Sequence, residues 1–87
     1  MSDRPQKRSL TLHGHRTSVS LEAPFWEALQ EIARSEGRPL AQIAARIDTG
    51  RSPDTGLATA IRLFVLEHYR QKAQSFALSG GSNQEKL

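Results

Sequence analysis

The chain has 87 residues, of which 24% are charged, with a net charge of +3 and no cysteine. That length makes one domain with a core too small to be secure alone. The lack of cysteine excludes disulfides and thiolate zinc sites, leaving oligomerisation as the brace. No apolar run approaches the ~20 residues that span a bilayer, and residues 1–15 lack the apolar centre of a signal peptide, so a soluble, cytoplasmic protein is expected.

Residues 1–8 are polar, contain Pro5 and carry Arg4, Lys7 and Arg8. Nothing in them repays the entropy of ordering, and they read as a flexible basic arm. Together with Arg16 these cations face only Asp3 within residues 1–21, whereas Glu22 to Leu87 balances acid against base. A focused cationic segment favours a polyanionic partner. Phe25, Trp26, Phe64, Tyr69 and Phe76 all lie outside it, which argues against a protein that stacks single-stranded bases on aromatic rings.

From Ser9 to Leu21 apolar and polar residues alternate, but the parity changes across Gly14: Leu10 and Leu12 precede it, and Thr17, Val19 and Leu21 follow. A single straight strand would put the two sets on opposite faces. Two solutions stand. In one, Gly14-His15 is a two-residue hairpin turn that pairs Leu12 with Thr17 and Leu10 with Val19. In the other, residues 16–21 form a lone strand that pairs with its copy in a second subunit, and residues 9–13 are an arm or a bulged extension.

Pro24 opens a helix over about 24–36 that Gly37 closes, with Phe25, Ala28, Leu29, Ile32 and Ala33 in one apolar stripe. After the Gly37-Arg38 turn, Pro39 opens a second, short helix carrying Leu40, Ile43, Ala44 and Ile47, which stops near Thr49-Gly50. Residues 50–56 gather turn-formers and read as a loop. A third helix is predicted from Leu57 to about Gln74. Leu57, Ile61, Phe64, Val65 and His68 share one face, while Leu63 and Leu66 lie off it, the pattern of a helix covered from two sides. Residues 75–87 are rich in Ser, Gly, Gln and Asn and read as a disordered tail, which leaves residues 9–74 as the domain.

Strand, helix, glycine turn and helix in that order resemble the ribbon-helix-helix family typified by the Arc and Met repressors. Arg16-Thr-Ser-Val-Ser-Leu21 is similar to its strand, Phe25 to Glu36 to its first helix, and Gly37-Arg38 to its inter-helix turn. The phrase from His13 to Glu22, with Phe25-Trp26 and Ala60 to Leu66, resembles a bacterial subgroup of uncharacterised ribbon-helix-helix-domain proteins. The resemblance implies a mainly α fold with a short N-terminal β-strand, a ribbon-helix-helix homodimer with an additional C-terminal helix. It also implies that an antiparallel ribbon enters the major groove of double-stranded DNA while the second helices hold phosphates.

Carried onto this chain, Arg16, Ser18 and Ser20 face outward, Thr17, Val19 and Leu21 face the core, and backbone near Arg38 to Ala41 holds phosphate. Arg16 is the base reader of the three, because a guanidinium bonds guanine O6 and N7 together. Three features depart from the family pattern. Two outward positions are short serines, Pro39 stands where a capping side chain is usual, and the second helix ends early and hands over to an extra helix.

The candidate DNA-binding residues are therefore Lys7, Arg8, His13, His15, Arg16, Ser18, Ser20 and Arg38. His13 and His15 share a face if extended, but two imidazoles with no thiol and few carboxylates nearby make a poor metal site, so they are read as exposed polar groups or additional phosphate contacts. Trp26 belongs to the core or an interface. Glu22, Glu27, Glu31 and Glu36 are spread along a solvated helix. No catalytic grouping or glycine-rich phosphate loop occurs, so neither an enzyme nor a cofactor is expected. The expected role is a dimeric transcription regulator that pairs with itself and with DNA and does not engage membranes. The alternatives are an antitoxin-like component, or a protein-interaction module that has kept the dimer scaffold without DNA binding.

Overall fold

The computed structural model describes residues 4–80. In chain order the elements are strands β1 (Gln6–Leu12) and β2 (His15–Leu21), then helices α1 (Ala23–Glu36), α2 (Leu40–Gly50) and α3 (Leu57–Gly80). β1 takes in Gln6, Lys7 and Arg8 from the stretch expected as an arm. Residues 1–3 of that arm and 81–87 of the expected tail lie outside the described residues.

The two strands form an antiparallel hairpin within one chain, in a register running from Gln6 opposite Leu21 to Leu12 opposite His15. This corrects the expected turn. The central residues are His13 and Gly14, not Gly14 and His15, so Leu12 faces His15, Leu10 faces Thr17, and Val19 faces Arg8. Both central residues have positive φ, 51° at His13 and 81° at Gly14. That is the type I′ geometry whose twist matches the strands, and histidine enters the left-handed region more readily than most side chains. Moving the turn by one residue moves every pairing by two, so the apolar face survives: Leu10 is 3% exposed, Val19 6% and Leu21 0%. Thr17, expected to turn inward, is exposed despite facing Leu10.

The first helix starts at an extended Glu22, with Pro24 in its first turn, and ends at Gly37, whose φ of 66° is left-handed. Gly37 N–H donates to Arg34 O at 3.1 Å and Arg38 N–H to Ala33 O at 3.0 Å, the paired bonds of a Schellman ending. Leu29, Ile32 and Ala33 on α1, Ile43, Ala44 and Ile47 on α2, and Ala60, Ile61 and Val65 on α3 join Leu10, Val19 and Leu21 in one core. Leu21, Leu29, Ile32, Ile43 and Ile61 are fully buried, each worth about 1.5–3 kcal/mol of transfer free energy.

Polar links fix the layers. β1 lies on α2 and β2 on α3. Arg62 on α3 donates to both carboxylate oxygens of Glu22 at 2.9 and 3.1 Å, and two turns further on Tyr69 Oη donates to Glu31 at 3.0 Å, so α1 and α3 run side by side in the same direction. The third helix continues past the expected end at Gln74 to Gly80. Ser75 to Leu78 contains alanine and leucine and no helix breaker, and the first glycine comes only at residue 80.

Candidate nucleic-acid interface

The hairpin sorts its residues by parity. The inner face carries Gln6, Arg8, Leu10, Leu12, His15, Thr17, Val19 and Leu21. The outer face carries three cross-strand pairs, Lys7 with Ser20, Ser9 with Ser18, and Thr11 with Arg16, and all six residues are exposed. No acidic residue occurs between Arg4 and Leu21. The outer face is thus a lawn of four short hydroxyls with one cation at each end, on opposite strands. Arg16 Nη2 donates to Ser9 Oγ at 3.0 Å, a diagonal contact that holds the guanidinium over the face and leaves most of its donors free.

The predicted site residues do not all share this surface. Lys7, Arg16, Ser18 and Ser20 lie on it. Arg8, adjacent to Lys7, has the opposite parity: its guanidinium sits over the Trp26 ring, 5.7 Å from the centroid, and its Nε donates to Leu21 O at 3.4 Å. Charge patterning counts cations and is blind to the face on which each one lands. Arg8 thus braces the corner where ribbon meets α1, and Trp26 packs there half-buried against the core.

His13 and His15 separate as well. His13 occupies the turn, with Nε2 3.1 Å from Asp48 Oδ2 near the end of α2, while His15 opens β2 opposite Leu12. Asp48 is shared. Arg51 Nε donates to its other oxygen at 2.7 Å, and first Arg51, then His13, holds the Asp48 carboxyl below its ordinary range. Arg38 lies in the α1–α2 turn, its Nη1 donating to Gln42 at 3.3 Å and its Nε 3.6 Å from Glu36, so its charge is partly offset. Beside it α2 begins at an extended Pro39 with no side-chain cap and no acidic residue in its first turn, leaving the first amides of the helix open to an anion.

Ser9 and Thr11, not among the residues expected to bind DNA, also lie on this face. Their signal was the parity they share with Lys7, which becomes informative only once the segment is known to fold back on itself.

No group of three or more histidine, cysteine or acidic side chains able to hold a metal ion occurs among the described residues. Within the same residues no helix is long and apolar enough to cross a membrane.

Comparison with known proteins agrees with this geometry. The structure is similar to that of an uncharacterized protein from Bordetella pertussis Tohama I, with a TM-score of 0.68 and 32% identity. The similarity covers 87% of this chain and 64% of that one, so this chain spans under two thirds of its neighbour's length. No curated protein matches the sequence. A sequence profile of the ribbon-helix-helix domain matches residues 5–69, which takes in the hairpin, α1, α2 and the first half of α3. The chain belongs to the ribbon-helix-helix domain family, whose members generally dimerise, bind DNA and are not enzymes.

Proposed function

We propose that this chain is a dimeric regulator of transcription that lays the outer face of its hairpin in the major groove of double-stranded DNA. The observation that carries this reading is the six-residue outer face, cationic at both ends, in a segment free of acidic residues. A two-stranded ribbon fits a groove about 12 Å wide, and a face without carboxylates approaches phosphates at no electrostatic cost.

The roles follow from reach. Arg16 is the base reader, since its planar fork matches the guanine edge. Ser9, Thr11, Ser18 and Ser20 are short, and their hydroxyls accept from or donate to several bases, so they allow close approach more than they discriminate. Lys7 and Arg4 meet the phosphates flanking the groove. The open amides at the start of α2, with Arg38 beside them, form a second phosphate contact. His13 and His15 at the hairpin tip add contacts to the backbone. Arg8 supports the ribbon from its other face.

Such a surface draws its affinity mainly from phosphate neutralisation, which releases counterions. Duplex binding measured at 50 and 200 mM salt should weaken by about a thousandfold, the change for about six phosphate contacts per dimer. No binding at 50 mM, or binding indifferent to salt, would overturn the proposal. The exposed leucines of α3 favour a protein contact in addition.

A further inference from the structure

The hydroxyls of the outer face differ in what surrounds them. Lys7, Ser9 and Thr11 stand along β1 opposite Ser20, Ser18 and Arg16 on β2, so Ser9 is the middle residue of its row, with Lys7 on one side and Arg16 diagonally across. Arg16 Nη2 already donates to Ser9 Oγ at 3.0 Å. Lys7 lies about 7 Å back along the strand, a span its four-carbon stem covers. Among the described residues neither cation has an acidic partner.

Other serines offer an added anion nothing comparable. Ser35 Oγ donates to Ile32 O in the last turn of α1, where helix carbonyls and the neighbouring Glu36 repel negative charge. Ser52 Oγ donates to the Asp54 carboxylate, again a like charge.

We propose that Ser9 is a phosphorylation site, and that its phosphate closes the outer face to DNA. The inference rests on the DNA reading above and names its regulation. The phosphoryl donor is a nucleoside triphosphate held by a separate protein kinase. Ser9 Oγ attacks the γ-phosphorus, the bond from that phosphorus to the nucleoside diphosphate oxygen breaks, and the hydroxyl proton passes to a base of the kinase.

The chain around Ser9 fits such a transfer. β1 is extended, belongs to a sheet of two strands, and so keeps one edge open. Arg4 and Lys7 precede the hydroxyl as exposed cations with no acidic residue between them and Ser9, the complement of an acidic substrate groove. Ser18 and Ser20 lie on β2, whose upstream chain doubles back at His13-Gly14.

The consequence follows from charge. A phosphoserine carries about −1.5 to −2 charges at pH 7, which offsets the two cations of the outer face. It also takes the base reader, because phosphate oxygens accept from the Arg16 fork in charge-assisted bonds stronger than the single hydroxyl contact they replace. What then meets the duplex is a phosphate against phosphates. Ser9 is exposed, so the added group displaces no core side chain. A serine at this position reads bases poorly, yet it is a residue that can take on this charge.

The test compares the full chain with the same chain carrying phosphoserine at position 9, introduced by genetic encoding. Affinity for duplex DNA at about 50 mM salt should fall by about a hundredfold or more, the loss of at least two phosphate contacts per dimer. Phosphorus NMR reads the capture by Arg16. The phosphate should give up its last proton at a lower pH than phosphoserine in an unfolded peptide of the same sequence, and Arg16→Gln should move that midpoint back up. Peptide mapping of the chain isolated from the cells that encode it should find phosphate on Ser9. A phosphate midpoint indifferent to Arg16→Gln, or a Ser9 that carries no phosphate in any growth phase, overturns the inference. Equal duplex binding by both forms removes the switch and leaves the DNA reading standing. Binding by neither form, with Ser9 phosphorylated in cells and its phosphate held by Arg16, removes the DNA reading and leaves the modification site standing.

Discussion

Exchanging the two cations of the outer face one at a time separates reading from holding. Arg16→Lys keeps the charge but replaces a planar fork, which can satisfy guanine O6 and N7 together, with a point charge. A bidentate contact of that kind is worth about 1–3 kcal/mol of discrimination, or about 2–6 kcal/mol for the two copies in a dimer. The structure supports the upper half of that range, because the Ser9 hydroxyl at 3.0 Å already holds the guanidinium over the face, so less freedom is lost on binding. The salt dependence should not move, since no charge is lost. Lys7→Gln does the reverse. It removes one charge per chain, two per dimer, and should flatten the slope of log K against log salt by about 1.8 while weakening all duplexes alike. The assay is fluorescence anisotropy on a duplex selected from random sequence and on its scrambled counterpart, at three salt concentrations. If Arg16→Lys weakens both duplexes equally, or Lys7→Gln leaves the slope unchanged, the outer face is not the surface that meets DNA.

Three further outcomes test the fold that carries this face. Gly37→Ala should cost about 1–2 kcal/mol, because an alanine at φ 66° is strained although no atom lies within 4 Å of the added carbon; a melt should show a fall of roughly 4–16 °C, and no change would mean the Schellman ending is not needed. Ile61→Ala removes a fully buried side chain at the junction of α3 with the core and should cost about 2–5 kcal/mol, most of the margin of so small a domain; urea denaturation giving under 1 kcal/mol would refute the packing. Asp48, held low by Arg51 and then by His13, contributes stability present above its ordinary value of 3.8 and lost as pH falls through the lower folded value. The stability gap between wild type and Asp48→Asn should therefore be present in full at about pH 5 and shrink below 3.8, and a gap that persists unchanged at pH 2 would show that the carboxylate has no folded-state partner.

Much of the fold was legible because its signals are local. Pro24 and Gly37 bracket α1 in the sequence as they do in space, and Pro39 sets the start of α2 within a residue. The alternation of residues 9–21 identified the buried set of the hairpin, apart from Thr17, while missing the turn itself. Glycine at either central position of a two-residue turn satisfies the sequence rules. The choice between them lies with His13, whose positive φ allows the type I′ form and whose side chain reaches Asp48, a residue 35 positions away. No window on the sequence contains that contact.

The site shows the opposite balance, since most of what shapes it is non-local. Lys7 and Arg8 are neighbours with equal charge, and the ribbon sends one to solvent and the other onto Trp26. Arg38 is a cation in composition, yet Glu36, two residues earlier, shares its charge across the turn. The hairpin therefore presents fewer cations than the sequence counts, arranged better than the sequence could say: two at diagonal corners, with hydroxyls between them. A face so short in reach requires a scaffold that sets it at a fixed depth and angle. Arg62 on Glu22, Arg8 on Trp26 and His13 near Asp48 supply that anchoring at the base and at the tip of the ribbon. Loosening either end should scatter the outer face before it unfolds the core, so affinity for DNA should fall earlier than stability along any series of variants at these three contacts.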